Sequence, residues 1–413
     1  MLKSIKKLKS KFFPFNIRSN IKSSQCYTQL LTITPEKLNK LLQLNDGVNK
    51  LNGLEKEERA CDADGLYINI PQAEAGFFPP LFYRSETHQQ GSQIGTILIR
   101  EAYYAIYYSL TQLEYNINEI KDEYADLVFN WSYKLKYGKK DDRIYIEHGW
   151  LPRSMFQISP SGTNSLSHVA KEFHHRKVSE LRRNDLNRSM ANLKLLYSCS
   201  IKKSKVKQIQ KQVKEPFILF AFQLANDANL QYSNSEFSKY FSKKPEDTLR
   251  FSQACIDKLS SYDLPCRVVF KQHPVDKNDI NKLNKKKEDV FWDNSIDFTT
   301  HEIFSSGLCK LVVTVNSNTI HEAAIWGIPG IALGTLMWVE SQSNRPFSKD
   351  LEDVVSVMNN NSFDDNMLIY IQHLLEYQWS LNDLQNPLIV EELIRTKGCC
   401  MPSELRSKYG LLI

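Results

Sequence analysis

The second half of this chain alternates short apolar runs with stretches in which apolar residues recur every three or four positions. Phe217 to Phe222, Arg267 to Phe270, Leu311 to Val315 and Ile331 to Leu333 have strand length. Their β-branched and aromatic content suits strands buried on both faces. Between the first two, Phe251, Ala254, Cys255 and Leu259 share one side of a helix over 247–259. Strand, helix, strand in that order predicts a parallel sheet. Residues 290–310 read as a polar segment with a short helix that leads back to Leu311.

Leu311 to Gly334 is the stretch around which the pattern is organised. Asn316, Ser317, Asn318 and Thr319 crowd the turn after the strand. Thr319 and Glu322 have capping-box spacing, so a helix is expected to begin there. Gly327 ends it and Pro329 prevents its continuation. A helix start beyond the carboxyl end of a parallel strand suits an anion.

The first half is less regular. Residues 36–60 have helical spacing, Leu66 to Ile70 and Thr96 to Ile99 read as strands, and Gly76 to Pro80 make a loop between them. Residues 100–126 read as a helix whose tyrosines form a packing face. Arg143 to Ile146 is a short strand that delivers Glu147 and His148 to a loop opened by Gly149. Asn164 could cap a helix carrying His168, His174 and His175, which read as surface or acceptor-facing. Residues 171–215 are charged and helical, and with Pro216 they mark the best boundary between two domains.

Composition changes this picture little. At 413 residues, 42% hydrophobic and 24% charged, the chain can bury two cores. Its eight cysteines lack metal-type spacing and read as reduced thiols, several of them buried. Charge is more informative. The net +6 is concentrated in residues 1–35, which hold Lys3, Lys6, Lys7, Lys9, Lys11, Arg18 and Lys22 and no acid. The remainder is near neutral, which argues against a nucleic-acid-binding surface. Tail lysines beside Phe12, Phe13 and Phe15 suit an anionic membrane surface through residues 1–15, and a solvated tail is the other reading. No apolar run is long enough for a signal segment or a membrane span, so a cytoplasmic protein is expected, with the tail at the inner face of the membrane.

Candidate chemistry gathers at strand ends. Glu147 and His148 are suited to proton transfer, with Trp150, Leu151 and Pro152 walling off water; a salt-bridged Glu147 and a packed Trp150 are the plainer alternative. Asp227 lies just past the strand Phe217 to Phe222, facing the cleft of a parallel α/β fold or merely capping its turn. Lys271 and His273 follow the next strand, with Pro274 restricting His273, and a cation beside an imidazole suits a phosphate. The lysine-rich run 202–214 reads as a solvated face. Asp62-Ala63-Asp64 has the form of a metal motif, but no apolar strand leads into it and no essential metal is expected.

Three segments resemble the β-Kdo glycosyltransferases of capsule and lipopolysaccharide synthesis, which use CMP-linked 3-deoxy-D-manno-octulosonic acid (Kdo). They are EHGWLPRSMFQISPSGTN at 147–164, FQLANDAN at 222–229, and KQHP at 271–274 with NSNTIHEAAIWGIPGIALG at 316–334. The third segment is shared with other CMP-sugar enzymes of GT-B fold, including bacterial sialyltransferases. The first two narrow the likeness to the Kdo group. No motif in the first 140 residues matches.

The resemblance implies an α/β fold of GT-B type, two Rossmann-like domains facing a central cleft. A basic tail would span 1–35, an acceptor-side domain 36–210, a CMP-sugar-binding domain 216–375, and C-terminal helices over 376–413 would pack back on the interface. Asp227 would be the nucleophile of a retaining double displacement and Glu147 the acid/base. His273 and Lys271, followed by Pro274, would hold the CMP phosphate, with Ser317, Asn318 and Thr319 donating to it. Glu322 would bind ribose or cytosine, or act as the capping partner of Thr319. The partners would be a CMP-sugar donor and a glycan or glycolipid acceptor, with no cofactor and no metal. A sialyltransferase or CMP-glycerol phosphotransferase of the same fold, or a non-catalytic polysaccharide-assembly protein, is the alternative.

Overall fold

Two five-stranded sheets carry the fold among the described residues, which are 65–69, 102, 105–110, 112–117, 127–131, 143–152, 155–171, 180–231, 235–242, 244, 246–336, 347–359 and 365–409. In this computed structural model all of them belong to one unit, Asp62–Ile413. The basic tail, the helical spacing at 36–60, Asp62 and Asp64, the 76–80 loop, the strand expected at Thr96 to Ile99, and His174 and His175 lie outside the described residues.

The first sheet has the order β2-β1-β3-β4-β5. It comprises β1 Gly65–Asn69, β2 Asn116–Ile117, β3 Leu127–Trp131, β4 Arg143–His148 and β5 Phe156–Ser159. β3 and β4 are parallel, and the other pairs are antiparallel. The helix expected over 100–126 is shorter than its pattern suggests. Glu114 takes a positive φ of 62°, and Asn116–Ile117 leave the helix to pair with β1. Strand β4 is longer than expected, because pairing with β5 through Glu147↔Gln157 and His148↔Phe156 carries it two residues further.

Within 171–215, read as charged and helical, the described residues form two helices, α1 Glu180–Ser198 and α2 Lys203–Val213. The second sheet follows. Its strands are β6 Phe217–Ala221, β7 Val268–Lys271, β8 Val290–Trp292, β9 Cys309–Thr314 and β10 Gly330–Ala332, in the order β10-β9-β6-β7-β8. Every pair is parallel, so the α/β class expected from the pattern is the class observed. β6 is buried along all five residues, as an FILFA run at the centre of a doubly covered sheet must be.

Helix α3 Asp247–Ser260 lays Phe251, Cys255, Ile256 and Leu259 on one sheet face against Phe220, Phe270 and Val313. Helices α2 and α4 Thr300–Ser305 cover the other face, where Ile209, Val213, Ile303 and Phe304 meet Leu219, Val269 and Val312. Helix α5 Thr319–Ile325 follows β9 and puts Ala323 into that second cluster. The chain thus leaves β6 towards one face and β9 towards the other. The crevice beyond the carboxyl ends of these neighbouring strands is the topological switch point, where ligands bind in open α/β sheets. α5 also approaches β10 closely. A Cβ added at Gly330 would lie 2.3 Å from Ile320 Cγ1.

The C-terminal segment returns to the first sheet. Trp379 and Phe156 exchange both backbone hydrogen bonds at 2.8 Å. α6 Asp365–Glu376, α7 Pro387–Arg395 and α8 Pro402–Lys408 follow one another. Ile389, Val390 and Leu393 of α7 pack with Phe129, Ile144, Ile146 and Ile158. A separate cluster joins Trp150 and Leu151 to Ile320, Ala324, Leu368 and Tyr370, so the turn after β4 and helix α5 share one core.

The described cysteines are all free thiols. Burial pushes Cys309 up to about 12 and Cys400 up to about 11, which leaves both protonated and unreactive at neutral pH.

Candidate functional site

Asp227 stands in the loop beyond β6 and is half-buried. Its Oδ1 accepts the backbone N–H of Asn229 at 2.9 Å, and its Oδ2 accepts from Gln223 Nε2 at 3.3 Å. The first bond is the turn-capping role open to Asp227 from the sequence, so the carboxylate closes its own loop as well as facing the switch point. Gln223 is buried and clamps Asn316, donating to Asn316 Oδ1 at 2.7 Å and accepting from the Asn316 backbone at 2.9 Å. Asn316 Nδ2 donates to the Asn229 carbonyl at 2.7 Å. The loops after β6 and β9 are therefore tied across the crevice by side-chain amides.

The first sheet reaches this network through Asn164. Its Nδ2 donates to Asn229 Oδ1 at 2.7 Å. Its Oδ1 accepts from Gln157 Nε2 at 3.0 Å and from Trp150 Nε1 at 3.3 Å, and its backbone N–H donates to Gln157 Oε1 at 2.7 Å. Asn164 is thus not the helix cap expected from its position. It takes a φ of 52°, a conformation asparagine tolerates, and spends its side chain on tertiary bonds.

Glu147 lies within β4 rather than in a loop. It is the register partner of Gln157, so the two side chains share a sheet face. Gln157 also donates to the His148 carbonyl at 2.8 Å. A continuous path of hydrogen bonds therefore runs from the end of β4 through Gln157, Asn164 and Asn229 to Asp227. Trp150 is buried in the core and contributes only its indole N–H to this path. The turn holding it is fixed by the fully buried Gln378, whose Oε1 accepts from Trp150 N at 2.5 Å and Leu151 N at 2.6 Å. Arg406 donates to the Gln378 carbonyl at 2.7 Å and forks onto Asp383 at 2.6–3.1 Å, a buried ion pair behind the turn. His168, expected at the surface or facing the acceptor, is buried edge-on to Tyr377 at 6.0 Å between ring centres.

Lys271 ends β7, beside Ala221 at the end of β6. Burial pulls its ammonium below the ordinary lysine range, and Asp297 opposes that shift. Gln272 orders the following loop, accepting from Asn294 N at 3.0 Å and donating to the Asn278 carbonyl at 2.6 Å. His273 Nδ1 accepts the Val275 N–H at 3.4 Å. That leaves Nε2 as the ring N–H, a donor suited to an anionic oxygen. Pro274 is exposed within this turn.

Ser317, Asn318 and Thr319 follow β9 on the other flank of β6. The Ser317 and Thr319 hydroxyls lie 3.0 Å apart, and Ser317 Oγ accepts the Thr319 N–H at 3.3 Å. The capping box read from Thr319 and Glu322 does not form. Asn318 is the residue before the helix and makes no side-chain cap, while Glu322 Oε2 accepts from Thr300 Oγ1 at 3.1 Å and lies 3.9 Å from His301 Nε2. His301 stacks on Tyr197 at 3.8 Å, and its Nδ1 accepts from Trp326 Nε1 at 3.2 Å. Burial lowers its pKa against the pull of Glu322.

The carboxyl ends of β7, β6 and β9, which are neighbours in the sheet, thus present Lys271 with His273, Asp227, and Ser317 to Thr319 in that order. Gln157, Asn164, Gln223, Asn229 and Asn316 complete the arrangement and were not singled out as site residues from the sequence. Only their clustering in the resembling segments hinted at them. Among the described residues no group of three or more His, Cys, Asp and Glu is placed to hold a metal ion, and no helix is long and apolar enough to cross a membrane.

No protein-family model matches the chain, and no curated protein matches it. Solved structures similar to it include two of KpsC from Thermosulfurimonas dismutans. The β-Kdo 2,7 transferase has 12% identity and a TM-score of 0.34, with 65% of this chain and 84% of that chain covered. The β-Kdo 2,4 transferase has 12% identity and a TM-score of 0.37, with 67% and 96% covered. The UDP-GlcNAc 2-epimerase of Methanocaldococcus jannaschii has 15% identity and a TM-score of 0.26, with 75% and 81% covered. At such identities and TM-scores these likenesses carry no statement about activity or substrate.

Proposed function

We propose that the chain is a retaining glycosyltransferase of GT-B type that moves Kdo from CMP-Kdo to a glycan or glycolipid acceptor. The observation that carries this reading is the placement of Asp227 at the switch point, flanked on adjacent strand ends by phosphate-suited groups and tied by Asn164 to the strand bearing Glu147. The three resembling segments are the ones that meet there.

In this mechanism Lys271 and His273 hold the CMP phosphate and offset the charge that develops as the donor bond breaks, with Ser317 and Thr319 hydroxyls on the opposite flank. Asp227 attacks the anomeric carbon of Kdo. CMP leaves with the bonding electron pair, and an ester joins Kdo to the carboxylate. Glu147 then takes the proton of the acceptor hydroxyl as that oxygen displaces Asp227. Two inversions retain the anomeric configuration. CMP needs little help as a leaving group, so the Lys271 ammonium and the His273 ring N–H suffice without a metal in this account. Glu322 would bind ribose or cytosine through Oε1 while its Oε2 accepts from Thr300.

A CMP-sialic-acid or CMP-glycerol transferase would keep Lys271, His273 and the 316–319 turn without needing Asp227 as nucleophile. Incubation with CMP-Kdo and a short glycan acceptor, followed by product analysis, tests the donor. Transfer of Kdo supports the reading, and transfer only from a different CMP donor sinks it. The basic tail, residues 1–15, is proposed to contact the anionic inner face of the cytoplasmic membrane.

A further inference from the structure

We propose that the corner formed by α1 and α2 is an interaction surface for an anionic lipid bilayer, separate from the basic tail and independent of the donor reading. The sequence makes 202–214 a plain lysine run, and the structure sorts it into two faces. Ile209 and Val213 of α2 are buried against the second sheet, and Lys205 turns to Asp297. Lys203, Lys207, Lys211 and the capping Lys214 fall on the opposite side by helical spacing, and all four are exposed. They form a stripe about 16 Å long. Helix α2, KSKVKQIQKQV, contains no acid. The acid that follows, Glu215, is paired with Arg267 at 2.7 Å.

Charge alone would suit any polyanion. The end of α1 decides between them. Its buried stripe is Leu186, Met190 and Tyr197, and Leu195, on the opposite side, is 66% exposed with Leu196 beside it at 38%. These are two of the few large apolar side chains left in water among the described residues, and they stand at the turn from which the lysine helix departs. Exposed leucines have no use against a hydrated glycan or a nucleic-acid backbone. Joined to the row of lysines by the short turn 199–202, they suit the headgroup boundary of an anionic membrane, where the lysines would meet lipid phosphates and the leucines would enter the acyl edge.

Sedimentation of the full chain with phosphatidylcholine vesicles, with and without about a quarter phosphatidylglycerol, tests the surface. The full chain should bind the anionic vesicles and not the neutral ones. K203Q/K207Q/K211Q/K214Q should weaken that binding on the order of tenfold or more. L195S/L196S should weaken it at unchanged charge, and circular dichroism of each variant should match the parent. Three results would overturn the proposal. One is full-strength vesicle binding by the lysine variant, which would leave the tail as the contact. Another is absence of binding by the full chain. The last is vesicle binding indifferent to the leucines together with equally lysine-dependent binding of soluble polyglutamate, which would make the stripe a general polyanion site.

Discussion

Asn164 Nδ2 donates to Asn229 Oδ1 over 2.7 Å, joining the turn beyond the first sheet to the loop that carries Asp227 in the second. Asn229 in turn gives its backbone N–H to Asp227. The bond makes the carboxylate's position depend on residues of the other sheet. Asn164→Ala should therefore lower the transfer rate by about 10- to 100-fold, the equivalent of roughly 1–3 kcal/mol, and leave the donor KM little changed. Steady-state kinetics read alongside a melting curve check this. A proportionate rise in KM with kcat intact would show that Asn164 serves binding alone.

Lys271 and His273 are assigned to the phosphate, which predicts a loss in CMP affinity rather than in folding. Lys271→Ala and His273→Ala should each weaken CMP by about tenfold or more, the range for hydrogen bonds to charged groups. Asp227→Ala should bind CMP as the parent does. Calorimetry distinguishes the three. Because burial holds the Lys271 ammonium below the ordinary lysine range, its proton is lost earlier as pH rises. CMP affinity should thus begin to fall below the pH at which an exposed lysine would titrate, and Lys271→Arg should remove that alkaline decline.

His321 predicts a pH dependence of stability. It is buried, stacked on Phe347 with ring centres 6.0 Å apart and edge-on to Tyr370, and its pKa is lowered by burial to about 3. The unfolded chain takes up a proton near the ordinary histidine value, and the folded chain does not until far lower. Stability should therefore fall as pH drops from about 6.5 towards 3, with this residue contributing about 1.4 kcal/mol per pH unit. Denaturant midpoints across that window, for the parent and for His321→Gln, measure the contribution. A variant with an unaltered slope would contradict it.

The buried pair Asp383–Arg406 supports the turn after β4 through Gln378. Arg406→Ala strands a buried carboxylate and should cost about 3–5 kcal/mol in unfolding free energy. Gln378→Ala should cost less overall, since it leaves the pair intact, yet should lower activity by releasing Trp150 and Leu151. Chemical denaturation and transfer assays of the two variants should rank them in opposite orders.

Legibility followed range. Phe217–Ala221 and Asp247–Ser260 could be read because burial on two faces and on one face leave different periods in the sequence. The strand ends bearing Asp227 and Lys271 followed directly. Val290–Trp292 was hidden because three residues among charges show no period, and parallel pairing with β7 makes it a strand. Glu147 was placed in a loop because the pairing of β4 with β5 has no local mark. The Thr319–Glu322 spacing suggested a capping box, but Thr300 competes for the carboxylate from another helix. Asn164 and Asn229 are 65 positions apart, and nothing local in either announces their bond.

The central claim is that Asp227 carries Kdo covalently. Intact-mass measurement after incubation with CMP-Kdo in the absence of acceptor tests it most directly. The account predicts a single adduct of one Kdo residue, located on Asp227 by peptide mapping, lost in Asp227→Ala and discharged by acceptor. An Asp227→Ala protein that transfers Kdo at the parent rate, with no adduct on either form, would contradict it.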